Sequence, residues 1–146
     1  HYTMVAGSLF ALFGGFYFWA PKWTGVMYSE AKGKFHFWAS LIFFNVTFFP
    51  QHFLGLAGMP RRYADYPAQF ADFNMLSSIG AFGFGLMQVY FFLFIVIPMM
   101  RGQGEKAPQR PWDSAQGLEW EVPSPAPFHT FENPPKLDET ATRVVS

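Results

Sequence analysis

Residues 35–57, FHFWASLIFFNVTFFPQHFLGLA, contain no Asp, Glu, Lys or Arg. About 20 apolar residues rising ~1.5 Å each are enough to cross the hydrocarbon core of a bilayer as a helix. The apolar residues here are continuous rather than alternating, which excludes a barrel strand with one wet face. Two further runs have the same character, residues 1–20 and residues 73–100, the first uncharged unless His1 is protonated. The third is longer than one crossing needs, which predicts tilt or a protruding end. One such run could be a buried helix of a soluble domain; three in succession read as three transmembrane helices.

Composition agrees. Of 146 residues, 51% are apolar and 21% aromatic, with 20 Phe and only 14% charged, too apolar a balance for a soluble domain of this size. The formal net charge of zero gives a nucleic-acid partner no electrostatic support. Cysteine is absent, which removes disulfides and thiolate metal sites. The chain divides into a transmembrane region, 1–100, and a tail, 101–146, that holds seven of the twelve prolines. That proline content predicts an extended path without long helices or central strands. The first apolar run has no initiator Met, basic leader or helix cap before it, so it reads as a helix already under way in a longer protein.

Three crossings place the loop 21–34 and the tail on one side and residues 58–72 on the other. Lys22, Lys32 and Lys34 in the loop, with Arg101, Lys106 and Arg110 in the tail, put that side in the cytoplasm by the positive-inside rule. Trp19, Trp23 and Trp38 flank it as interface anchors. Gly7, Ala11 and Gly15, and again Ser77, Ala81 and Gly85, fall at i, i+4, i+8 and are expected to be helix-packing faces. Asn45, Thr47, Gln51 and His52 interrupt the second run and should find partners on another helix or in water. Pro50 there removes one helical hydrogen bond.

Against the charge rule, GMPRRYADYP (58–67) sets Arg61 and Arg62 on the outer side. Asp65 and Asp72 could neutralise them in a surface cluster of little energetic value. Alternatively, the pair could hold a buried anion, since guanidinium binds carboxylates bidentately and keeps its charge. His1 stands 21 residues before Lys22, roughly 30 Å along a helix, at the depth of the arginines. An imidazole below two arginines suits an upright haem, with iron on the histidine and propionates towards the guanidiniums. His36 and His52 are 16 residues apart with no i, i+4 partner, so neither reads as a metal ligand, and His129 in the tail less so. No nucleotide loop, Ser-His-Asp set or zinc spacing is present.

The stretch FFNVTFFPQHFLGLAGMPRRYADYP (43–67) resembles the penultimate helix and following loop of subunit I of the haem–copper oxygen reductases. GLEWEVPSPAPFHTFENPP (117–135) is similar to the family's C-terminal tail, and HYTMVAGSLFALFGGFYFW (1–19) to most of its tenth helix. The resemblance runs through nearly the whole chain, and its wording is that of the A-type, cytochrome c-oxidising, bacterial members. It implies the last three crossings of a larger helical bundle in the bacterial inner membrane, with a cytoplasmic tail. The family's tenth helix reads His-Phe-His-Tyr, and the opening His-Tyr matches its second histidine. By resemblance, His1 is an axial ligand of the low-spin haem A, and Arg61 and Arg62 bind haem propionates.

The copper-binding histidines, the cross-linked tyrosine, the high-spin haem ligand, the other low-spin haem ligand and the proton-channel acids of the family have no counterpart here. The segment alone is therefore expected to be inactive, with no catalytic residue of its own. Its implied partners are the N-terminal remainder of subunit I, other oxidase subunits, cytochrome c as donor, and membrane lipid. The whole would be an oxidoreductase that reduces oxygen to water and pumps protons. A quinol-oxidising relative is the nearest alternative. A cofactor-free transporter fragment gating an anion with the arginines, and a copper site made by His1 as a mature N-terminus, are the others. The first of these lacks paired broken helices, and the second would put a charged amine in lipid.

Overall fold

The computed structural model describes residues 1–135. Among them, three long apolar rods account for nearly all regular structure. The first is α1 (Met4–Thr24). The second is α2 (Glu30–Phe48), continued by α3 (Pro50–Leu56). The third is α4 (Ala71–Phe91), continued through a π-helical stretch, Phe92–Val96, into α5 (Ile97–Met100). The spans Met4–Thr24, Glu30–Leu56 and Ala68–Met100 are each long and apolar enough to cross a membrane. The described residues form no strand, only an isolated antiparallel bridge between Val26 and Lys106. The all-α membrane architecture expected from three uncharged runs is observed.

The helix ends differ from the edges of the apolar runs, for local reasons. α1 continues through Pro21 and Lys22, where the sequence reading starts a loop. It ends when Gly25 enters the left-handed region at φ 75° and its N–H reaches the Pro21 carbonyl at 2.9 Å. α2 starts a turn before the uncharged run. Ser29 is extended at the N-cap, Glu30 lies in the first turn where the helix dipole favours an anion, and Lys34 closes an i, i+4 ion pair with it at 3.1 Å. The second rod breaks at Phe49, immediately before Pro50, which has no N–H to offer the ladder.

The two later rods make the closest approach. A Cβ at Gly80 would stand 2.5 Å from the Thr47 backbone nitrogen, and one at Gly83 would overlap the Phe43 ring. Asn74, Ser77, Gly80 and Gly83 form the buried stripe of α4, spaced by three. Within the described residues the expected i, i+4 faces are used only in part. Gly7 and Gly85 have no neighbour within 4 Å of an added Cβ, Gly15 meets only Trp19 of its own helix, and Ala81 is exposed. A stripe spaced by three turns 300° per step and drifts across the helix, so Ser77 lies in the contact while Ala81 and Gly85 rotate out of it.

α1 docks through aromatic edges instead. Phe10 meets Phe44 at 5.7 Å, while Phe13 and Phe16 meet Phe91 at 5.1 and 5.0 Å between ring centroids. Ala20, Phe91, Ile95 and Met99 form the buried centre of this cluster. Residues 101–135 follow an irregular path with one short 3-10 turn, Leu118–Trp120. The remaining tail residues, 136–146, lie outside the described residues.

Candidate functional site

The start of α1, the α2–α3 break and the loop after α3 meet at one end of the bundle. His1 stacks on Phe48, with centroids 4.2 Å apart and planes 13° from parallel. Tyr2 donates its hydroxyl to Asn45 Oδ1 at 2.7 Å, and its ring meets Phe44 and His52 edge-on, each at 5.3 Å. The first two residues are thereby seated against α2 rather than trailing from α1.

The arginine loop is held from below. Leu54, Met59 and Phe70 form a small buried cluster. The Asn74 amide donates to the Phe70 carbonyl at 2.8 Å and lies 3.5 Å from the Met59 sulfur, while its Oδ1 accepts the Tyr63 hydroxyl at 2.9 Å. Arg62 adopts φ 55°, a conformation uncommon outside glycine and one that persists only where its surroundings fix it. Gln51 donates to Ser77 Oγ at 2.7 Å, and Ser77 donates to the Thr47 carbonyl, tying the α2–α3 break to α4. Asn74 and Tyr63 were not singled out from the sequence. The available signal was an asparagine at the start of an uncharged run, four residues after Phe70.

His1, Arg61 and Arg62 line one cleft of about 450 Å³, walled by Leu54, Gly55 and Met59. A neighbouring cleft continues past His1 to Thr3, Phe48 and His52. Among the described residues, Glu30–Lys34 is the one ion pair; neither arginine meets Asp65 or Asp72 within salt-bridge distance. Asp65 instead accepts the Tyr66 N–H at 2.8 Å. The surface cluster considered from the sequence is therefore not formed. Two guanidiniums without carboxylate partners, an imidazole and apolar walls fit a flat ligand with a metal at its centre and carboxylates at its edge. Among the described residues, no group of three or more metal-ligating side chains exists that could close a site by itself. His1 can therefore contribute one ligand to a metal that another group also holds.

Residues 1–83 match the family model described as cytochrome c and quinol oxidase polypeptide I. The chain belongs to that family. It is 45% identical over 140 residues to cytochrome c oxidase subunit 1 of Cereibacter sphaeroides, covering 95% of this chain and 25% of the relative. It is 45% identical over 139 residues to a putative cytochrome c oxidase subunit 1-beta of Streptomyces avermitilis, covering 94% and 24%. The Synechocystis sp. cytochrome c oxidase subunit 1 is 43% identical over 137 residues, covering 94% and 24%. The chain thus spans about a quarter of these relatives' length, their C-terminal part. Oxidase family membership implies haem and copper in the whole subunit.

The other histidines lie elsewhere. His36 is buried between Phe13 and Phe91, with its Nδ1 2.8 Å from the Tyr17 hydroxyl. His52 is exposed, with its Nδ1 3.1 Å from the Phe49 carbonyl. His129 is exposed in the tail beside Phe128.

At the opposite end of the bundle the structure departs furthest from the sequence reading. Lys22, taken there as a loop charge, is only 4% exposed and lies within α1. Its ammonium donates to the carbonyls of Val122, Gln109 (3.2 Å) and Pro123 (3.4 Å) and to Ser124 Oγ (3.3 Å). The tail folds back onto the helix to provide them.

Proposed function

We propose that this chain supplies the last three crossings of subunit I of a terminal respiratory oxidase in the bacterial cytoplasmic membrane. In this reading the imidazole of His1 would hold the iron of the low-spin haem A. Arg61 and Arg62 bind its propionates, and the Tyr63–Asn74–Met59 contacts hold the arginine loop in register. When bound, that haem supplies a one-electron carrier between the donor, cytochrome c, and the haem–copper centre, where oxygen reduction to water is coupled to proton pumping.

The residues here do three things. His1, oriented by its stacking on Phe48, would hold the metal. The guanidiniums compensate anionic charge without being able to release a proton. The apolar wall of Leu54, Gly55 and Met59 keeps water from one side of the cleft. The N-terminal remainder of subunit I provides the copper, the high-spin haem and their ligands, so the segment alone does not turn over. Other oxidase subunits and lipid cover its apolar faces. In this topology the tail is cytoplasmic and residues 58–72 face outward.

The observation that carries the reading is the meeting of His1, Arg61 and Arg62 in one cleft, although 59 residues separate His1 from the pair. A reduced-minus-oxidised spectrum of the purified complex tests it. Haem A bands with cytochrome c turnover are expected. A haem-free preparation would return the transporter reading, and turnover with quinol alone the quinol-oxidase reading. The topology has its own check. Cysteines at Ser29→Cys and Ala64→Cys should label from opposite faces of sealed vesicles, and labelling of both from one face would remove the three-crossing arrangement.

A further inference from the structure

A lysine inside an apolar helix must keep its ammonium hydrated, paired or hydrogen-bonded, because a bare buried charge costs several kcal/mol. Lys22 finds no carboxylate within salt-bridge distance among the described residues. Its Nζ meets four oxygen acceptors instead, and all four belong to the tail: Gln109, Val122, Pro123 and Ser124. The Trp120 ring lies 5.4 Å from the same nitrogen, close enough for a cation–π contribution. The acceptors come from two separate tail segments, about residue 109 and residues 122–124, which the ammonium draws together.

The surrounding contacts show what this fastens. Trp112 donates its indole N–H to the Phe18 carbonyl at 2.9 Å, and the fully buried Trp120 packs on Phe18 at 5.1 Å. The Ala107 and Met27 amides donate to the Gly25 and Glu105 carbonyls at 2.9 and 2.8 Å. Gly25 is required twice over: it takes φ 75°, and a Cβ there would stand 2.6 Å from Pro125 Cδ. The chain leaving α5 is thus clasped to the end of α1 at several points, and the ammonium is the one charged group among them.

We propose that Lys22 is a cationic latch: its ammonium, held in a cage of tail oxygens, locks residues 105–125 over the Thr24 end of α1. A primary ammonium suits the cage because it directs three N–H donors from a single point, which a planar guanidinium does not. The latch depends on contacts between α1 and the tail alone, so it stands or falls independently of the haem assignment at the other end.

Hydrogen exchange on the intact oxidase complex tests it, read on peptides from 105–125 against peptides from α2 and α4. Lys22→Ala should speed exchange in the tail peptides about tenfold or more, the loss expected for several hydrogen bonds to one charged group. Lys22→Met, which keeps length but not charge, should do the same. In Lys22→Ala, propylammonium replaces the missing atoms and should restore slow exchange, whereas propanol should not. Unchanged tail exchange in the Met variant, or rescue by propanol as good as by propylammonium, would reduce Lys22 to packing and overturn the latch. Should Lys22→Ala fail to assemble, Ser124→Ala removes one acceptor without touching α1. Its tail peptides should exchange several-fold faster at unchanged α2 and α4 rates, and wild-type tail exchange there would equally overturn the proposal.

Discussion

The two ends of the bundle treat their cations in opposite ways. At the Thr24 end, Lys22 is covered by its own chain, its donors taken up by tail oxygens. At the other end, Arg61 and Arg62 are exposed, meet no carboxylate among the described residues, and face a cleft shared with His1. The backbone around both is well fixed, by the tail contacts at one end and by the Asn74 network at the other. Looseness therefore does not explain the difference. Lys22 meets acceptors that the chain itself supplies; on the reading proposed above, the arginine pair takes acceptors from outside it.

Four substitutions, made in the intact subunit, probe that contrast, in decreasing order of effect. On the proposed reading, His1→Ala removes the imidazole that would hold the haem iron, and neither Tyr2, engaged with Asn45, nor Met4, in the first turn of α1, can replace it. The low-spin haem should be lost or become high-spin, visible in the optical and EPR spectra. A preserved low-spin spectrum would mean that this end holds no haem through His1.

Gly80→Val comes next, because its side chain would be driven into the Thr47 backbone. Overpacking of this kind costs about 3 kcal/mol, so the yield of assembled complex should fall sharply. Gly85→Val meets nothing within 4 Å in this chain and is the control. Equal losses from both would show that Gly85 packs against another part of the subunit.

Arg61→Met should keep the haem but lower its midpoint potential, since removing a nearby positive charge favours the oxidised iron. The charged hydrogen bonding lost is about 1.5–3 kcal/mol, divided between haem retention and potential. An unchanged potential would make the arginine end an ordinary surface and erase the contrast with Lys22. Tyr63→Phe is the mildest. It deletes the 2.9 Å bond to Asn74, worth about 1 kcal/mol, and should loosen the arginine loop slightly. The expected reading is a small fall in thermal stability with normal spin state.

Much of the fold is legible in the chain, because membrane crossing is a one-dimensional property. Length and lack of charge over 35–57 suffice, whatever the neighbours are. The α2–α3 break is legible as well, since Pro50 has no N–H in any context. The candidate site is half legible. The placing of His1 and the arginine pair at the same end of the bundle can be read along the sequence. Asn74 and Tyr63, which hold the arginine loop, cannot, because nothing in their spacing says that they meet.

The sequence by itself determined three apolar helices, their order and a proline-rich tail, each of which depends on local composition and on a fixed rise per residue. Only the tertiary structure decided which glycines pack. Gly80 and Gly83 rather than Gly85 face α2 because the crossing geometry selects one drifting stripe of α4. It also decided the fate of Lys22, whose acceptor Val122 lies 100 residues further along the chain. A charge in a sequence carries a sign but no partner. Whether it is solvated, paired or enclosed depends on which distant backbone the fold returns to it.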